Sequence, residues 1–339
     1  MLEYTLHREF PPQLQEEWND LLSRSANHVP FLRYEYQTAW WQTRGGGEWP
    51  DAELALVTAR REGKLVGAAP LFHTNNHEGQ PALLMVGSIE ISDYLDFLAE
   101  PPDLEPFLSA LLQFLVTGQV TPWKSIDLYN ILDSSPALKI LQEVSAKQGW
   151  KCSTEVYKHS PMIRLAGDWE LYLAGIDKKQ RHEIRRKMRR LEEQEHLHSR
   201  WYFVQDAGTL DAELDAFFDL MLMDPDKKVF LTGTMRQAMV QIIRCAFENG
   251  CLKLFFLEIS GRKAAAVLCF DYCGCLWAYN SGFDSSMNEF SPGWVLLAYI
   301  LRWANENHYE SFDFMRGNET YKYRFGAVDR FVMRQTITR

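Results

Sequence analysis

Apolar residues recur at helical spacing in two early stretches of the chain. Residues 11–24 place Leu14, Trp18, Leu21 and Leu22 on one face, and residues 33–44 carry Tyr36, Ala39 and Trp40 ahead of a Gly45-Gly46-Gly47 stop, so the spacing predicts two helices. The period then changes. ELALVTARREGKLVGAAPLF (53–72) predicts two strands around a Glu62-Gly63 turn. Strand-like pieces follow at 82–87 and 94–98, then a helix over 103–117, a strand at Ser125–Tyr129, a helix over about 135–148, and strands near 152–157 and 161–165. The second half adds helices at 207–223 and 234–249 with the loop LMLMDPDKKVFLTG between them, which has the look of a cleft border although its Asp224, Asp226, Lys227 and Lys228 have the pattern of surface residues.

The pattern then repeats. LKLFFLEISGRKAAAVLCF (252–270) superimposes on 54–72 without a gap, setting Gly63 on Gly261, Lys64 on Arg262, Ala68 on Ala266 and Phe72 on Phe270. Ser125-Ile126-Asp127-Leu128 likewise matches Ser311-Phe312-Asp313-Phe314, and one predicted helix precedes each. Two copies of one α/β unit follow, joined near residue 166: residues 1–165 and residues 166–339.

The second copy carries the distinctive stretch, residues 276–326. A strand at Leu276–Asn280 runs into Ser281-Gly282, and a helix opens at Ser291-Pro292-Gly293 and continues to about Asn307. Serine is a favoured N-cap and proline a favoured first helical residue. Gly293 adds no side chain, so a ligand can approach the free first-turn amides, where the helix dipole favours an anion. The strand Ser311–Met315 then leads to Arg316-Gly317-Asn318-Glu319-Thr320-Tyr321-Lys322. The matching helix of the first copy starts Pro101-Pro102-Asp103-Leu104-Glu105, and its acids would repel a phosphate. An anionic cofactor therefore belongs to the second copy.

Charge sharpens this picture. The 339 residues carry a net charge of −9, which argues against a general nucleic-acid binder. Yet Lys178–Arg190 holds eight Lys or Arg and one acid, Glu183, so it is +7 and leaves −16 elsewhere. It fits either a solvated helix with Ile184, Met188 and Leu191 turned to the core and a Glu183–Lys187 pair, or a strip that steers phosphates or carboxylates. The scattered cysteines (152, 245, 251, 269, 273, 275) include no CxxC, and Cys273-Gly274 has the look of a hairpin turn; no metal site is expected. The N-terminus lacks a basic-then-apolar leader, and the apolar run 107–116 is too short to span a bilayer, so a soluble cytoplasmic protein is expected.

KKQRHEIRRKMRRLEEQ, LFFLEISGRKAAAVLCF, YNSGFDSSMNEFSPGWVLLAYILRWA and FDFMRGNETYKYRFGA together resemble the GNAT-type acyltransferases of the CelD (cellulose-biosynthesis) group, relatives of the Fem peptidoglycan aminoacyltransferases. The first copy fits as well, through Phe31-Leu32-Arg33-Tyr34-Glu35-Tyr36, Pro70-Leu71 and Ser92-Asp93-Tyr94-Leu95-Asp96. The resemblance implies an α/β (α+β) fold of two tandem GNAT-like domains, each a mixed central sheet flanked by helices, with the acyl-CoA site in the C-terminal one. It implies an acetyl-CoA or acyl-CoA co-substrate lying in a splay between two strands. Its pyrophosphate would sit at Ser291, Pro292, Gly293 and Trp294, and its thioester carbonyl against the backbone at Asn280, Ser281 and Gly282. The segment 221–233 departs from the family pattern, as does the absence of the Arg/Gln-x-x-Gly-x-Gly/Ala signature, in whose place Ser-Pro-Gly stands.

Acyl transfer to an amine needs a base, an acid for the leaving thiolate, and donors for the oxyanion. Glu319 and Asp313 are the candidate bases and Tyr321 the candidate acid. Arg316 and Lys322 are candidates to hold an acidic acceptor or a CoA phosphate, and Asp93 and Tyr94 to line the cleft from the first copy. The acceptor would be the amine of a small molecule, saccharide or peptide. An aminoacyl-tRNA-dependent transferase, gripping tRNA with 178–190, and a non-catalytic scaffold in a polysaccharide or envelope pathway are the alternatives.

Overall fold

The structure is a computed structural model and describes residues 2–339. Among these, eight strands form one sheet and six another. The chain divides into two compact units, the first reaching from the N-terminus to His159 with 237–245 and 330–339 added, the second comprising 160–236 and 246–329.

The first sheet takes β1 (Glu3–His7), β2 (Glu53–Arg61), β3 (Lys64–Asn75), β4 (Pro81–Met85), β5 (Leu98–Ala99), β6 (Ser125–Leu132) and β7 (Lys151–His159). The second takes β8 (Met162–Arg164), β9 (Arg200–Phe203), β10 (Leu252–Ile259), β11 (Arg262–Tyr272), β12 (Cys275–Phe283) and β13 (Ser311–Asp313). The last strand, β14 (Phe331–Thr338), pairs in the first sheet, between β6 and β7. The helices are α1 (Gln15–Arg24), α2 (Tyr34–Thr43), α3 (Pro101–Phe114), α4 (Pro136–Lys147), α5 (Trp169–Gly175), α6 (Lys178–Glu192), α7 (Leu210–Met221), α8 (Pro225–Phe230), α9 (Gly233–Glu248), α10 (Pro292–Glu306) and α11 (Thr320–Arg324).

The internal repeat extends to fine geometry. The β2–β3 hairpin turns at Glu62 (φ 51) and Gly63 (φ 80), and the β10–β11 hairpin at Ser260 (φ 51) and Gly261 (φ 75). Two successive residues with positive φ give a turn whose twist suits the flanking strands. Each ladder also slips at one place, between Ala59 and Arg60 in β2 and between Leu257 and Glu258 in β10. These positions coincide in the gapless alignment of the two segments. In both sheets an antiparallel run of four strands is followed by a parallel pairing, β4 with β6 and β12 with β13.

The join lies elsewhere than expected. A cut at 165/166 assigns β8 to the first copy and the last strand to the second. In the structure β8 pairs with β13, and β14 pairs with β6. The equivalent strands β6 and β13 each need an antiparallel neighbour, and each takes it from beyond its own contiguous segment. The sequence reading expected a strand near 161–165 and none over 331–338, and which edge either completes is a non-local matter.

Helix α10 is apolar nearly all round because its neighbours surround it. Val295, Leu296, Ala298, Ile300, Leu301 and Ala304 are buried with Phe255, Leu257 and Val267 of the sheet and with Ile184, Met188 and Leu191 of α6. Each such large side chain contributes about 1.5–3 kcal/mol by leaving water. The basic helix thus has the inward face expected of it, and Lys187 and Glu183 pair at 3.7 Å.

In the first unit, Asp96 is fully enclosed. It accepts hydrogen bonds from Ser135 Oγ at 2.6 Å and from the Phe97 N–H at 2.8 Å, yet burial raises its pKa to about 6. The native state therefore holds a proton that the unfolded chain releases near pH 3.8, and this contribution to stability is lost as pH rises towards 6. Relative to Asp96→Asn, the wild type should lose about 2 kcal/mol between pH 4 and pH 7. Urea unfolding of both proteins across that range checks this, and parallel pH curves would refute it.

Candidate functional site

Parallel pairing between β12 and β13 stops at Trp277 and Asp313, while β12 continues to Phe283. Beyond Asp313 the chain turns away through Met315 (φ 56) and Gly317 (φ 115). The outer half of β12 is therefore paired to β11 alone, and it contains a bulge, since Cys269 faces Ala278 and Leu268 faces Asn280. A cleft of about 650 Å³ opens there, within the second unit. Its walls are Ala278–Phe283 of β12, the start of α10, the segment from Phe314 to Lys322, and Asp224 and Lys227 beside the end of α7.

The start of α10 enters this cleft with Ser291, Pro292, Gly293 and Trp294. Ser291 does not cap it. Its backbone is left-handed (φ 51, ψ 53) and its side chain makes no capping bond, so no hydroxyl competes for the first-turn amides. A Cβ on Gly293 would come no closer than 3.5 Å, to the Phe283 ring. Trp294 packs on Phe325 at 4.6 Å between ring centres and lies under the Lys187 ammonium at 4.4 Å, and its indole Nε1 is buried with no hydrogen-bond partner. Uncapped first-turn amides beside a residue without a side chain suit an anionic ligand.

On β12, Asn280, Ser281 and Gly282 line the cleft, but two of them act differently from expectation. The Ser281 N–H, expected to face a thioester carbonyl, is covered by Asn280 Oδ1 at 2.8 Å, and the Ser281 carbonyl accepts from Lys227 Nζ. Gly282 answers to α7. A Cβ there would stand 2.5 Å from the Leu220 carbonyl carbon and from Met221 N.

Glu319, Tyr321, Arg316 and Lys322 all reach the cleft. Lys322, expected to hold substrate, has its donors engaged within the protein. Only 3% of its side chain is exposed, and Nζ meets Arg316 O at 2.8 Å, Gly317 O at 3.2 Å and Glu319 Oε2 at 2.8 Å. It pins the loop after β13 and aims Glu319. Desolvation, aided by the Glu319 charge, holds the Tyr321 phenol well above its usual pKa, so it is protonated at neutral pH although 40% of the residue is exposed.

Three candidates lie apart from the cleft lining. Asp313 is buried and accepts the Met315 N–H at 2.8 Å, ordering the strand exit. Its counterpart Asp127 is as buried, bonded to Asn76 Nδ2 at 2.7 Å and Thr336 Oγ1 at 2.9 Å. Asp93 and Tyr94 are enclosed in the first unit, where Arg330 lies over the Tyr94 ring at 5.5 Å. The corresponding helix start there is acidic, as expected, with Glu100 and Asp103 paired to Arg24 and Arg61 at 2.7 and 2.8 Å. The sequence placed the loop that carries Asp224 and Lys227 at the border of a cleft but took these two residues for surface ones, whereas both line the cleft. The Asp-Pro start of α8 was the one local signal, and it does not separate Lys227 from Lys228.

Residues 178–323 match the family profile described as acetyltransferase (GNAT) domain. No curated relative matches the chain by sequence. Solved structures share the fold over almost the whole chain. FemX is 11% identical with a TM-score of 0.69, covering 98% of this chain and 96% of its own. L-PGS from Bacillus licheniformis is 11% identical with a TM-score of 0.56, over 99% and 93%. A tandem GNAT protein from the clavulanic acid biosynthesis pathway is 12% identical with a TM-score of 0.50, over 99% and 98%. At such identities the likeness shows the fold: two mixed sheets flanked by helices, as in tandem GNAT structures. Among the described residues no helix is long and apolar enough to cross a membrane.

Proposed function

We propose that the second unit binds acyl-CoA and transfers its acyl group to a primary amine. The observation that carries this reading is the convergence on one cleft of an uncapped helix start, the unpaired edge of β12, a carboxylate and a protonated phenol. The first-turn amides of α10 would hold the pyrophosphate, and the β12 edge would lie along the pantetheine arm. Acyl-CoA supplies an activated carbonyl. The protein's own part is proton movement: Glu319 takes a proton from the ammonium of the acceptor, directly or through a water, the freed amine attacks the acyl carbonyl, Tyr321 donates a proton to the departing thiolate, and the second proton shed by the new amide nitrogen restores the Tyr321 phenol. Lys322 keeps the Glu319 carboxylate in place, and Asp313 acts on the loop rather than as a base. The acceptor is an amine of a small molecule, saccharide or peptide, and the C-terminal unit is the catalytic one.

Calorimetric titration with acetyl-CoA and longer acyl-CoAs tests the site, run beside Gly293→Glu. The variant places a carboxylate among the first-turn amides, so affinity should fall at least about 100-fold, or about 2.7 kcal/mol. An unchanged affinity would remove the cofactor from α10. No binding of any CoA to the wild type would end the acyl-CoA reading.

A second reading draws on α6. Lys178, Lys179, Arg189 and Arg190 are exposed on it, a cationic strip of the kind that binds a nucleic-acid backbone. It supports aminoacyl-tRNA-dependent transfer, and a steep fall of tRNA affinity with salt would be its signature.

A further inference from the structure

The cleft contains a cation that the protein leaves without an anionic partner. Lys227 is partly buried on α8, and its ammonium rests on the Ser281 carbonyl. Among the described residues no carboxylate lies within ion-pair distance of it. The nearby acids have other work: Asp224 caps α8 through the Asp226 N–H at 2.9 Å, and Glu319 is paired with Lys322 at 2.8 Å. A single carbonyl offers a partial charge and occupies one of three ammonium donors. Withdrawing an ammonium from water with no carboxylate in contact is costly. Consistent with that, burial pulls the Lys227 pKa below its ordinary value, although the more distant charges of Asp224 and Glu319 act the other way. Lys227 and the Ser281 it touches both line the cleft in which acyl transfer is proposed above. Arg316 adds a second cationic side chain to the same lining.

We infer that Lys227 receives a carboxylate carried by one of the two reacting molecules, close to the transferred group, and so selects for it. The inference rests on the acyl-transfer reading and narrows its substrates. The carboxylate belongs either to the acceptor, as in an α-amino acid or an acidic peptide, or to a dicarboxylic acyl chain. Neutral amines and simple aminosugars would then be poor acceptors for an acetyl donor. Lys227 has the place in anion recognition that the sequence suggested for Lys322.

The direct test titrates succinate and succinamide, a matched pair differing in charge, against the protein with and without saturating CoA. Wild type should bind succinate at least about tenfold more tightly than succinamide, as a charge-assisted bond would give. In Lys227→Met and Lys227→Gln the ratio should fall to about one. Equal binding of the two probes by wild type, or a ratio kept in variants that melt normally, would overturn the inference. Loss of CoA binding alone would fail the acyl-CoA reading and leave the carboxylate titration decisive for Lys227. Turnover then separates the carriers: acetyl-CoA against succinyl-CoA as donors, and glycine against glycinamide as acceptors. Whichever pair shows selectivity that depends on Lys227 identifies the carrier. If neither does, the carboxylate site has no part in the reaction and the inference falls.

Discussion

Glu319→Gln should lower kcat by about 10²–10⁴, the usual worth of a positioned proton-transfer group, while leaving CoA affinity within a factor of about three. Glutamine keeps an oxygen that can accept from Lys322 Nζ, which also holds Arg316 O and Gly317 O. The loop should therefore keep its shape, and the melting temperature should move little. What disappears is the proton acceptor at the cleft. Thiol release, measured with an acceptor that wild type uses, reads the loss. A variant that retains full turnover would show that Glu319 orders the loop and that the amine is deprotonated elsewhere. Tyr321→Phe provides the comparison. It removes the acid but not the base, so its effect should concentrate on poor leaving thiols.

Gly282→Ala should cost about 3 kcal/mol of stability and weaken CoA binding at the same time. The added methyl would lie 2.5 Å from Leu220 C and Met221 N, backbone atoms of α7 that cannot rotate aside as a side chain could. Either α7 moves off the sheet or β12 moves into the cleft, and overpacking of this kind costs about 1–3 kcal/mol or more. Ser281 would move with the strand and disturb the Lys227 contact. Gly293→Ala is the contrasting change. Its Cβ would meet the Phe283 ring at an ordinary 3.5 Å in helical backbone, and the stiffer unfolded chain should leave stability unchanged or up to about 1 kcal/mol higher. Urea unfolding of the two variants checks the pair of expectations. Equal stability of both would mean that α7 is not held against β12 by Gly282.

These two glycines show how far the sequence could be read. Both stand in the most distinctive stretch of the chain, and both were candidates for close approach by a ligand. Gly293 fits that description, since it lines the cleft and a Cβ there would meet only the Phe283 ring, at an ordinary 3.5 Å. Gly282 faces another helix, and nothing local to Ser281-Gly282-Phe283 announces that α7 crosses there. The same limit applies to Lys322 and Lys227. By type and position Lys322 suits an anion-holding residue, but it folds inward onto two carbonyls and a carboxylate. Lys227 sits in a charged surface-like loop, yet it turns into the cleft.

The sequence by itself determined the elements and their repetition. Near-continuous apolar runs set the hairpins, the paired Glu62-Gly63 and Ser260-Gly261 turns set their twist, and helical spacing set the buried faces of α6 and α10. It also singled out the helix start of the second copy as the one proposed to bind an anion, because Pro292 and Gly293 are local devices and the acids of the first copy are local repellents. These properties depend on neighbours a few residues away. Only the tertiary structure decided that β14 completes the first sheet and β8 the second, that β12 and β13 part after Trp277 and Asp313, and which lysine is consumed by the loop and which is left facing the cleft. Each of those outcomes is a pairing between residues far apart in the chain, settled by which backbone edges and buried charges remain unsatisfied once the cores have packed.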